Sequence, residues 1–598
     1  MNYKNLFITI RTQLMIGIIL LALNSAYFSK GYEPKRPNIV IVLTDDQGWG
    51  DLACNGNKYL NTPALDELSH SGVKFNNFYV SPLCAPSRAS LLTGRYHLRT
   101  GVSGVTNREE IMRLDETTFA QVFQNAGYAT GCFGKWHNGD QYPYTPNARG
   151  FDEFFGFCAG HWNNYFDTEL QHNGSTVKTK GYITDVLTDA AIDFINKNSE
   201  NPFVCYIPFN APHSPFQVPD KYFDKYKKMG LSDTLACVYG MVENIDDNTK
   251  RILNTIDELG LTDNTIFIFM TDNGPNTWRY NGGMKGIKSF VDDGGVRVPC
   301  FIKYPNAIKP NTVIKSLAAH IDIFPTIAEL CNIEIPDSLS FDGVSLAGLL
   351  TGKKKDDNNE NNDKSSRLIF AQNKLKDPPI SVRDDKYILV QDKKNNSLLY
   401  DFKNDPLQKN NIADKKPIET KNYSEKINSW YKEVAKNGFD TQPILLGYDY
   451  NYPIELQAVD AVKTDSLRFF EGHGWAHDWI TNWKSPNDEI SWNVSVIKES
   501  KYKVKFKYFC PSGFTGSELK LMTAGISIAA KVNIPVEFIP IPSPDRVKRQ
   551  EAYECRWGIL EIGEITLPKG SNKIFLKATF IPNNYVADFK SIILEKIN

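Results

Sequence analysis

Three apolar segments set the pattern of the first half of the chain. Residues 38–44, 203–209 and 265–271 are nearly continuous runs of apolar and β-branched residues, which is typical of strands covered on both faces. Helix start and stop signals occupy residues 62–72, 117–127 and 232–260. This alternation predicts an α/β fold with a mixed, mostly parallel sheet flanked by helices, whose ligands bind beyond the carboxyl ends of the strands.

The pattern changes in the C-terminal part of the chain. Residues 351–366 are poor in apolar side chains and predict a solvated loop. From about residue 450, alternating stretches such as Tyr502 to Tyr508 and Lys573 to Phe580 favour an antiparallel β-sandwich. We therefore expect a catalytic domain over residues 34–440, including a small α+β subdomain from about 365, followed by an appended sandwich over residues 450–598.

The first residues have the layout of a secretory signal peptide. Lys4 and Arg11 precede an apolar run from Leu14 to Leu23, and small residues follow at Ser25. A membrane anchor is the alternative, but a spanning helix needs about 20 apolar residues. Residues 1–26 are predicted to be removed on export, which leaves a periplasmic or secreted protein without a membrane span.

Composition and charge narrow the possible partners. Hydrophobic residues make up 41% and charged residues 23% of the 598 positions, as in soluble folded proteins. Because 68 Lys and Arg balance 69 Asp and Glu, no global basic field exists to attract nucleic acid. The ten cysteines form no C-x-x-C pair, so zinc-finger spacing is absent, and Cys510 with Cys555 is the first pair to test for a disulfide.

Two of the predicted strands run directly into acidic and amide residues. Asp45 and Asp46 follow the first, and Asp272 and Asn273 follow the third. Each aspartate alone is more often a turn or cap residue, but carboxylates that meet at one sheet edge repel unless a cation holds them together. The all-oxygen set favours calcium or magnesium, and a cage built mostly by protein favours calcium.

A second motif combines a cysteine with a fixed cation. Pro86 begins a predicted helix, which places Cys84 at its positive end and Arg88 one turn later on the same face. An isolated motif of this kind would more often be a buried cysteine at a helix start.

The segment C-A-P-S-R-A-S-L-L-T-G at residues 84–94 resembles the signature of the formylglycine-dependent, Cys-type sulfatases of the alkaline phosphatase superfamily, apart from one residue of spacing. Further matching segments are G-K-W-H at 134–137, R-G-F-D at 149–152, A-P-H-S-P at 211–215, T-D-N-G-P at 271–275 and G-G-V-R-V-P at 294–299. The resemblance to bacterial arylsulfatases and polysaccharide sulfatases covers residue 37 to about 435, and it implies the alkaline-phosphatase-like fold.

This resemblance implies a role for each motif residue. Cys84 would be oxidised to formylglycine (3-oxoalanine) by a formylglycine-generating or anaerobic sulfatase-maturing enzyme. One calcium ion would be bound by Asp45, Asp46, Cys84, Asp272 and Asn273. The implied catalytic residues are Cys84, Arg88, Lys135, His137, His213 and Lys288.

In the implied mechanism, one hydroxyl of the formylglycine hydrate attacks sulfur and Asp272 accepts its proton. His213 protonates the departing alcohol. The second hydroxyl, deprotonated by His137, then expels sulfate and restores the aldehyde. Lys285 lies near Lys288 and competes with it for one role, because the usual G-G-K-G is G-I-K-S here.

Substrate choice is less well marked in the sequence. Arg149, His161 and Lys285 are candidate substrate contacts, together with Trp162, Asn163 and Asn164. Four tryptophans of the C-terminal part either bind carbohydrate or pack between domains: Trp475, Trp479, Trp483 and Trp492.

The expected function is hydrolysis of sulfate esters on a sulfated oligo- or polysaccharide, with an algal polysaccharide such as ulvan as one possibility. The alternatives are a phosphonate or phosphodiester hydrolase of the same superfamily and an inactive carbohydrate-binding protein.

Overall fold

The computed structural model describes residues 35–354, 367–373, 379–394, 396–449 and 452–597. The predicted signal peptide and most of the predicted loop at 351–366 lie outside these residues. Within the described ranges, no helix is long and apolar enough to cross a membrane. Residues Pro37–Asn598 form one compact unit.

A ten-stranded sheet organises the catalytic part. Its five central strands, Thr265–Thr271, Asn38–Thr44, Phe203–Pro208, Ala129–Lys135 and Glu153–Phe157, are parallel. Antiparallel pairings extend both sides: Cys300–Lys303 and then Val73–Phe75 on one, Glu169–His172 and then Ser175–Lys178 on the other. Thr312–Ile314 pairs in parallel with Val73–Phe75 at the first of these edges. The predicted mixed, mostly parallel sheet is confirmed.

The strands at the centre of the sheet are buried throughout, as their unbroken apolar sequences require. Asn38–Thr44 and Thr265–Thr271 have the predicted bounds, and every residue in both is buried. Two separate apolar clusters cover the two faces of the sheet. The helices of this part are Pro63–Ser71, Cys84–Thr93, Phe119–Asn125, Ile183–Lys197, Asp220–Lys228, Asp233–Glu258, Asp293–Val296, Ile323–Leu330 and Ala347–Leu350.

The predicted helix boundaries follow from capping. The side chain of Thr118 accepts a hydrogen bond from the backbone N–H of Gln121 and begins Phe119–Asn125, while Ser232 caps Asp233–Glu258 in the same way. Helix Cys84–Thr93 is buried at all ten positions and ends at Gly94, whose φ of 69° is in the left-handed region. Its complete burial fixes the position of the residues at its first turn.

Two further layers follow in the chain. A four-stranded antiparallel sheet comprises Ile369–Gln372, Ile380–Arg383, Tyr387–Gln391 and Ser397–Asp401, and helix Pro417–Val434 packs against it. Beyond it, two six-stranded sheets face each other across an apolar core. Their strands are Ile444–Leu446, Ile454–Gln457, Val462–Lys463, Arg468–Phe469, Ile480–Thr481, Glu489–Val496, Ser500–Phe509, Glu518–Thr523, Ile526–Lys531, Gly558–Leu567, Lys573–Phe580 and Asp588–Ile597.

The sandwich shows what most of the C-terminal tryptophans do. Trp479, Trp483 and Trp492 are each 0% exposed inside this part of the protein, so they stabilise it and cannot stack on a glycan. Trp475 is half-buried, and its ring lies 4.4 Å from that of His473. All ten cysteines lie in the described residues, and no disulfide joins any two of them there, Cys510 and Cys555 included.

Replacing a buried sandwich tryptophan is expected to destabilise the protein strongly. Trp492 fills the core and its Nε1 donates to the carbonyl of Gln457 at 2.8 Å, so Trp492→Ala should lower the free energy of unfolding by about 3–5 kcal/mol. Urea unfolding followed by near-UV circular dichroism measures the change. Ile559→Ala, at a side chain 48% exposed, serves as the control and should stay within about 0.5 kcal/mol; equal effects would contradict the assigned core.

Candidate functional site

The candidate site begins where two neighbouring parallel strands end. Thr44 and Thr271 are paired in register, so the residues that follow them meet at one edge of the sheet. The backbone N–H of Asp46 donates to Oδ1 of Asp272 at 3.2 Å, and Nδ2 of Asn273 donates to Oδ1 of Asp46 at 2.7 Å. The predicted convergence of the two strand ends is confirmed.

The chain leaves the first strand at Asp46 itself. Asp46 has a φ of 64°, in the left-handed region that a non-glycine residue adopts rarely and usually where surrounding contacts fix it. Those contacts include Arg279, whose Nη2 donates to the carbonyl of Asp46 at 2.8 Å and forms a fully buried ion pair with Asp51 at 2.7 Å. The chain therefore turns out of the sheet at Asp46, and sequence reasoning missed the pair of Arg279 and Asp51.

Cations surround this carboxylate cluster. Nζ of Lys135 donates to Oδ2 of Asp45 at 2.5 Å. Nε and Nη2 of Arg88 donate to Oδ2 of Asp272 at 3.2 and 2.8 Å. Because Arg88, Lys135 and the two aspartates are fully buried, these ion pairs are shielded from water and salt.

Lys288 completes the ring of cations, and Lys285 does not. Nζ of Lys288 lies 2.7 and 2.9 Å from the two carboxylate oxygens of Asp46, whereas Lys285 donates to the hydroxyl of Tyr400 at 2.8 Å and pairs with Asp292 at 3.0 Å. Lys285 therefore connects the loop to the C-terminal subdomain, and its contact with substrate stays a prediction.

A glycine pair brings the Lys288 loop close to the strand end. A Cβ on Gly274 would lie 2.1 Å from the carbonyl oxygen of Gly294, so only glycine permits this approach. The backbone N–H of Lys288 then donates to the carbonyl of Pro275 at 2.9 Å. The close approach of Gly274 to Gly294 accounts for the glycine in the motif T-D-N-G-P. In G-G-V-R-V-P, a Cβ on Gly294 would lie 2.1 Å from the carbonyl oxygen of Gly286, and one on Gly295 would lie 2.1 Å from that of Phe290.

The cluster fits a hard divalent cation. Oδ1 of Asp45 and Oδ1 of Asn273 are buried and have no hydrogen-bond partner in the part of the chain that the structure describes, and both atoms are acceptors only. Ligand atoms of Asp45, Asp46 and His213 lie within 4.8 Å of one another. Unpartnered buried oxygens are costly, and a cation would satisfy them. The residues present therefore fit the predicted metal.

The carboxyl groups of Asp45 and Asp272 differ in the direction in which their pKa values are shifted. Burial, and then the Asp45 carboxylate, raise the pKa of Asp272 above its ordinary value despite its ion pair with Arg88. Burial also acts to raise the pKa of Asp45, but Lys135, followed by His213 and Arg88, holds it well below its ordinary value. Proton and metal would thus compete at Asp272.

Cys84 stands at the first position of its buried helix and is 3% exposed. Burial raises the pKa of its thiol, although Lys135 and Lys288 act in the opposite direction. The encoded cysteine is therefore a neutral thiol at physiological pH and not a thiolate nucleophile. The site is therefore not arranged for the direct nucleophilic attack by serine or cysteine that ordinary hydrolases use.

The two predicted histidines have different roles in the geometry. Nε2 of His137 lies 3.0 Å from the carbonyl of Val105 and must carry the proton there, which leaves the buried, unpartnered Nδ1 with a lone pair. Burial and then Lys135 lower the pKa of His137 well below its ordinary value. His137 is therefore a neutral base.

His213 is arranged in the opposite sense. Its Nδ1 lies 2.6 Å from the carbonyl of Ser214 and donates to it, so Nε2 is directed to the site, 3.5 Å from Oδ2 of Asp46. Its side chain is 13% exposed, which gives it access to a bound substrate. This orientation suits a proton donor to an alcohol leaving group.

The remaining predicted substrate residues separate into two groups. Arg149 is 2% exposed, and its guanidinium donates to the carbonyls of Arg113, Leu114 and Glu116; it is structural, so its prediction as a substrate contact is wrong. His161 stacks parallel to His213, with ring centroids 6.3 Å apart, and its buried Nε2 has no hydrogen-bond partner within the described ranges. His161 therefore stays a candidate substrate contact.

Residues of the sandwich also reach the catalytic part, which the sequence did not predict. The hydroxyl of Ser214 donates to Glu551, and Nη1 of Arg549 donates to the carbonyl of Asn163 at 2.6 Å. Nε2 of His477 lies 3.1 Å from the carbonyl of His161. No local motif signals these contacts, because they join segments more than 300 residues apart.

Comparison with known proteins gives consistent results. The family model described as "Sulfatase" matches residues 37–333, and that described as "N-sulphoglucosamine sulphohydrolase, C-terminal" matches residues 287–435. The chain is 33% identical to the uncharacterized sulfatase YdeN of Escherichia coli over 386 residues, 55% of this chain and 68% of that protein. It is 31% identical to N-acetylgalactosamine-6-sulfatase of Mus musculus over 374 residues, 55% of this chain and 69% of that protein.

Among solved structures, Ps i-CgsB in complex with k-i-k-neocarrahexaose superposes with a TM-score of 0.64 and 26% identity, over 68% of this chain and 95% of that one. These likenesses agree with the alkaline-phosphatase-like fold. The chain therefore belongs to the sulfatase family, whose members hydrolyse sulfate esters.

Proposed function

We propose that this sulfatase removes sulfate from a carbohydrate, using calcium bound at the carboxylate cluster and formylglycine made from Cys84. The observation that carries the proposal is the buried arrangement in which Arg88, Lys135 and Lys288 surround acceptor oxygens beside Cys84. Such preorganised cations stabilise the negative charge of a transferring sulfuryl group.

Each residue of the site then has a defined task. Calcium held by Asp45, Asp46, Asp272 and Asn273 would neutralise charge on the sulfate oxygens, and formylglycine at position 84 would supply the attacking hydroxyl together with the second hydroxyl that permits its regeneration. Arg88, Lys135 and Lys288 orient the sulfate group. Nε2 of His213 donates a proton to the leaving alcohol oxygen, and Nδ1 of His137 accepts a proton when the nucleophile is restored.

A carbohydrate substrate is supported by two relatives, one named for N-acetylgalactosamine 6-sulfate chemistry and one solved with neocarrahexaose. The structure solved with neocarrahexaose favours a similar oligosaccharide as the substrate, whereas neither of these two relatives supports ulvan. We further propose that the chain is exported, to the periplasm or beyond the cell, and matured by a formylglycine-generating or anaerobic sulfatase-maturing enzyme. The phosphonate and binding-protein alternatives have no specific observation in their favour.

The modification of Cys84 can be tested directly. Mass spectrometry of the peptide that spans Cys84, from protein produced with a maturing enzyme, should show the mass loss of thiol replaced by aldehyde. Cys84→Ala should abolish hydrolysis of an aryl sulfate, and Cys331→Ala, at another buried cysteine, should retain it. An unmodified Cys84 in a fully active preparation would refute the formylglycine mechanism.

Calcium binding should stabilise the folded protein apart from any effect on activity. After chelator treatment, calcium at about 100 times its Kd adds about 2.7 kcal/mol to the free energy of unfolding, which differential scanning calorimetry detects as a higher Tm. Asp45→Asn should remove this response, and Asp115→Asn, at a side chain 73% exposed, should keep it. If calcium still raises the Tm of Asp45→Asn, the ion is bound at a different site.

The two lysines of the 285–288 loop should differ sharply in importance. Lys288→Ala removes a cation from the buried cluster and should lower kcat/KM for an aryl sulfate about 100-fold or more. Lys285→Ala removes only the contacts with Tyr400 and Asp292 and should change it by less than a few-fold. Steady-state kinetics of both variants measures the difference. A larger loss of kcat/KM for Lys285→Ala than for Lys288→Ala would reverse the roles assigned to the two lysines.

A further inference from the structure

A cleft of about 640 Å³ lies between the edge of the large sheet and the sandwich. The catalytic part contributes Trp162, Asn163 and Gln171 to its walls, and the sandwich contributes Lys507, Tyr553 and Trp557. Its volume is within the range of small-molecule sites, and a position between two parts of a protein is a common place for such sites.

The cleft is separate from the catalytic cluster but adjacent to it. Among the described residues that line it, none belongs to the proposed calcium ligands or catalytic residues. Cys158 and Ala159 line both the cleft and a small cavity that His137 also lines. A ligand in the cleft would thus lie beside the catalytic histidine without touching the reacting atoms.

The charges in the cleft do not suit a sulfated ligand. Its lining includes more carboxylates than ammonium groups: Asp140, Glu169, Glu455, Glu554 and Glu595 against Lys507 and Lys590. Lys507 lies 3.4 Å from Glu455, and Nζ of Lys590 donates to the carbonyl of His477 at 2.7 Å. Both cations are therefore engaged within the protein, and a sulfate group would meet net repulsion.

Titration reduces the charge of both signs in the cleft. Burial, and then Lys507, lower the pKa of Lys590 to about 7, so much of its positive charge is lost at neutral pH. Burial, and then Asp460, raise the pKa of Asp140 to about 7, so part of its negative charge is lost as well. A polar cleft whose charges are reduced in this way favours an uncharged polar ligand.

Aromatic rings give the cleft surfaces that suit sugar rings. Trp162 stacks on Phe157 with centroids 5.0 Å apart, and Trp557 stacks on Phe509 at 3.9 Å, so both indoles are held in place. Tyr553 is 38% exposed. Rigid aromatic faces bind apolar surface with little loss of conformational entropy.

The wall of the cleft also includes a polar side chain. Asn163 lines the cleft and is 5% exposed, and its buried Oδ1 has no hydrogen-bond partner among the described residues. We propose that the cleft is a second glycan-binding site that takes an uncharged stretch of saccharide beside the catalytic cavity.

Isothermal titration calorimetry of the full chain with three neutral hexasaccharides tests the proposal: chemically desulfated neocarrahexaose, cellohexaose and chitohexaose. At least one should bind, and Tyr553→Ala should raise its Kd about tenfold, the loss of about 1.4 kcal/mol. Tyr553→Phe, which keeps the ring, should bind as the unaltered protein does. Phe580→Ala, at a ring 52% exposed outside the cleft, is the matched control.

The outcomes are separable from those for the sulfatase mechanism, because neutral saccharides carry no sulfate and their binding needs no formylglycine. Unchanged kcat for an aryl sulfate in Tyr553→Ala would show that the variant is folded. Absence of binding by all three saccharides up to 10 mM, or equal binding by Tyr553→Ala and the unaltered chain, would overturn the proposal.

Discussion

The structure depends on holding three buried aspartates together at the ends of two parallel strands. Asp45, Asp46 and Asp272 are all 0% exposed, and like charges at such separations repel by several kcal/mol even at an intermediate dielectric constant of about 20. Arg88, Lys135 and Lys288 offset that repulsion from three different segments of the chain. The need to place these cations explains why the surrounding loops are buried and closely packed.

The positions of these cations depend in turn on the packing of the segments that carry them. Arg88 reaches the cluster because its helix is buried along its whole length, and Lys288 does so because Gly274 lets two loops approach. Arg279 holds the unusual backbone of Asp46 from the outside of the turn. A substitution at any of these supporting positions would act on the cluster without touching a substrate.

Much of this arrangement could be predicted from the sequence, because strong local signals set it. The strands Asn38–Thr44 and Thr265–Thr271 have the predicted bounds, since unbroken apolar runs end at aspartates. The directions of individual side chains could not be predicted: Arg149 lies in a matching motif, yet its guanidinium satisfies buried carbonyls. Contacts between the sandwich and the catalytic part were also missed, because pairings over hundreds of residues leave no local pattern.

The contact between Ser214 and Glu551 has a consequence for how proteins of this architecture diversify. Ser214 follows His213, the proposed proton donor, and its partner belongs to the C-terminal part of the chain. The sandwich therefore packs directly beside the candidate site and is not an accessory carried on a tether. Exchange of this domain between two otherwise similar enzymes would alter the surroundings of the proposed leaving group, so recombination of domains would act on substrate choice.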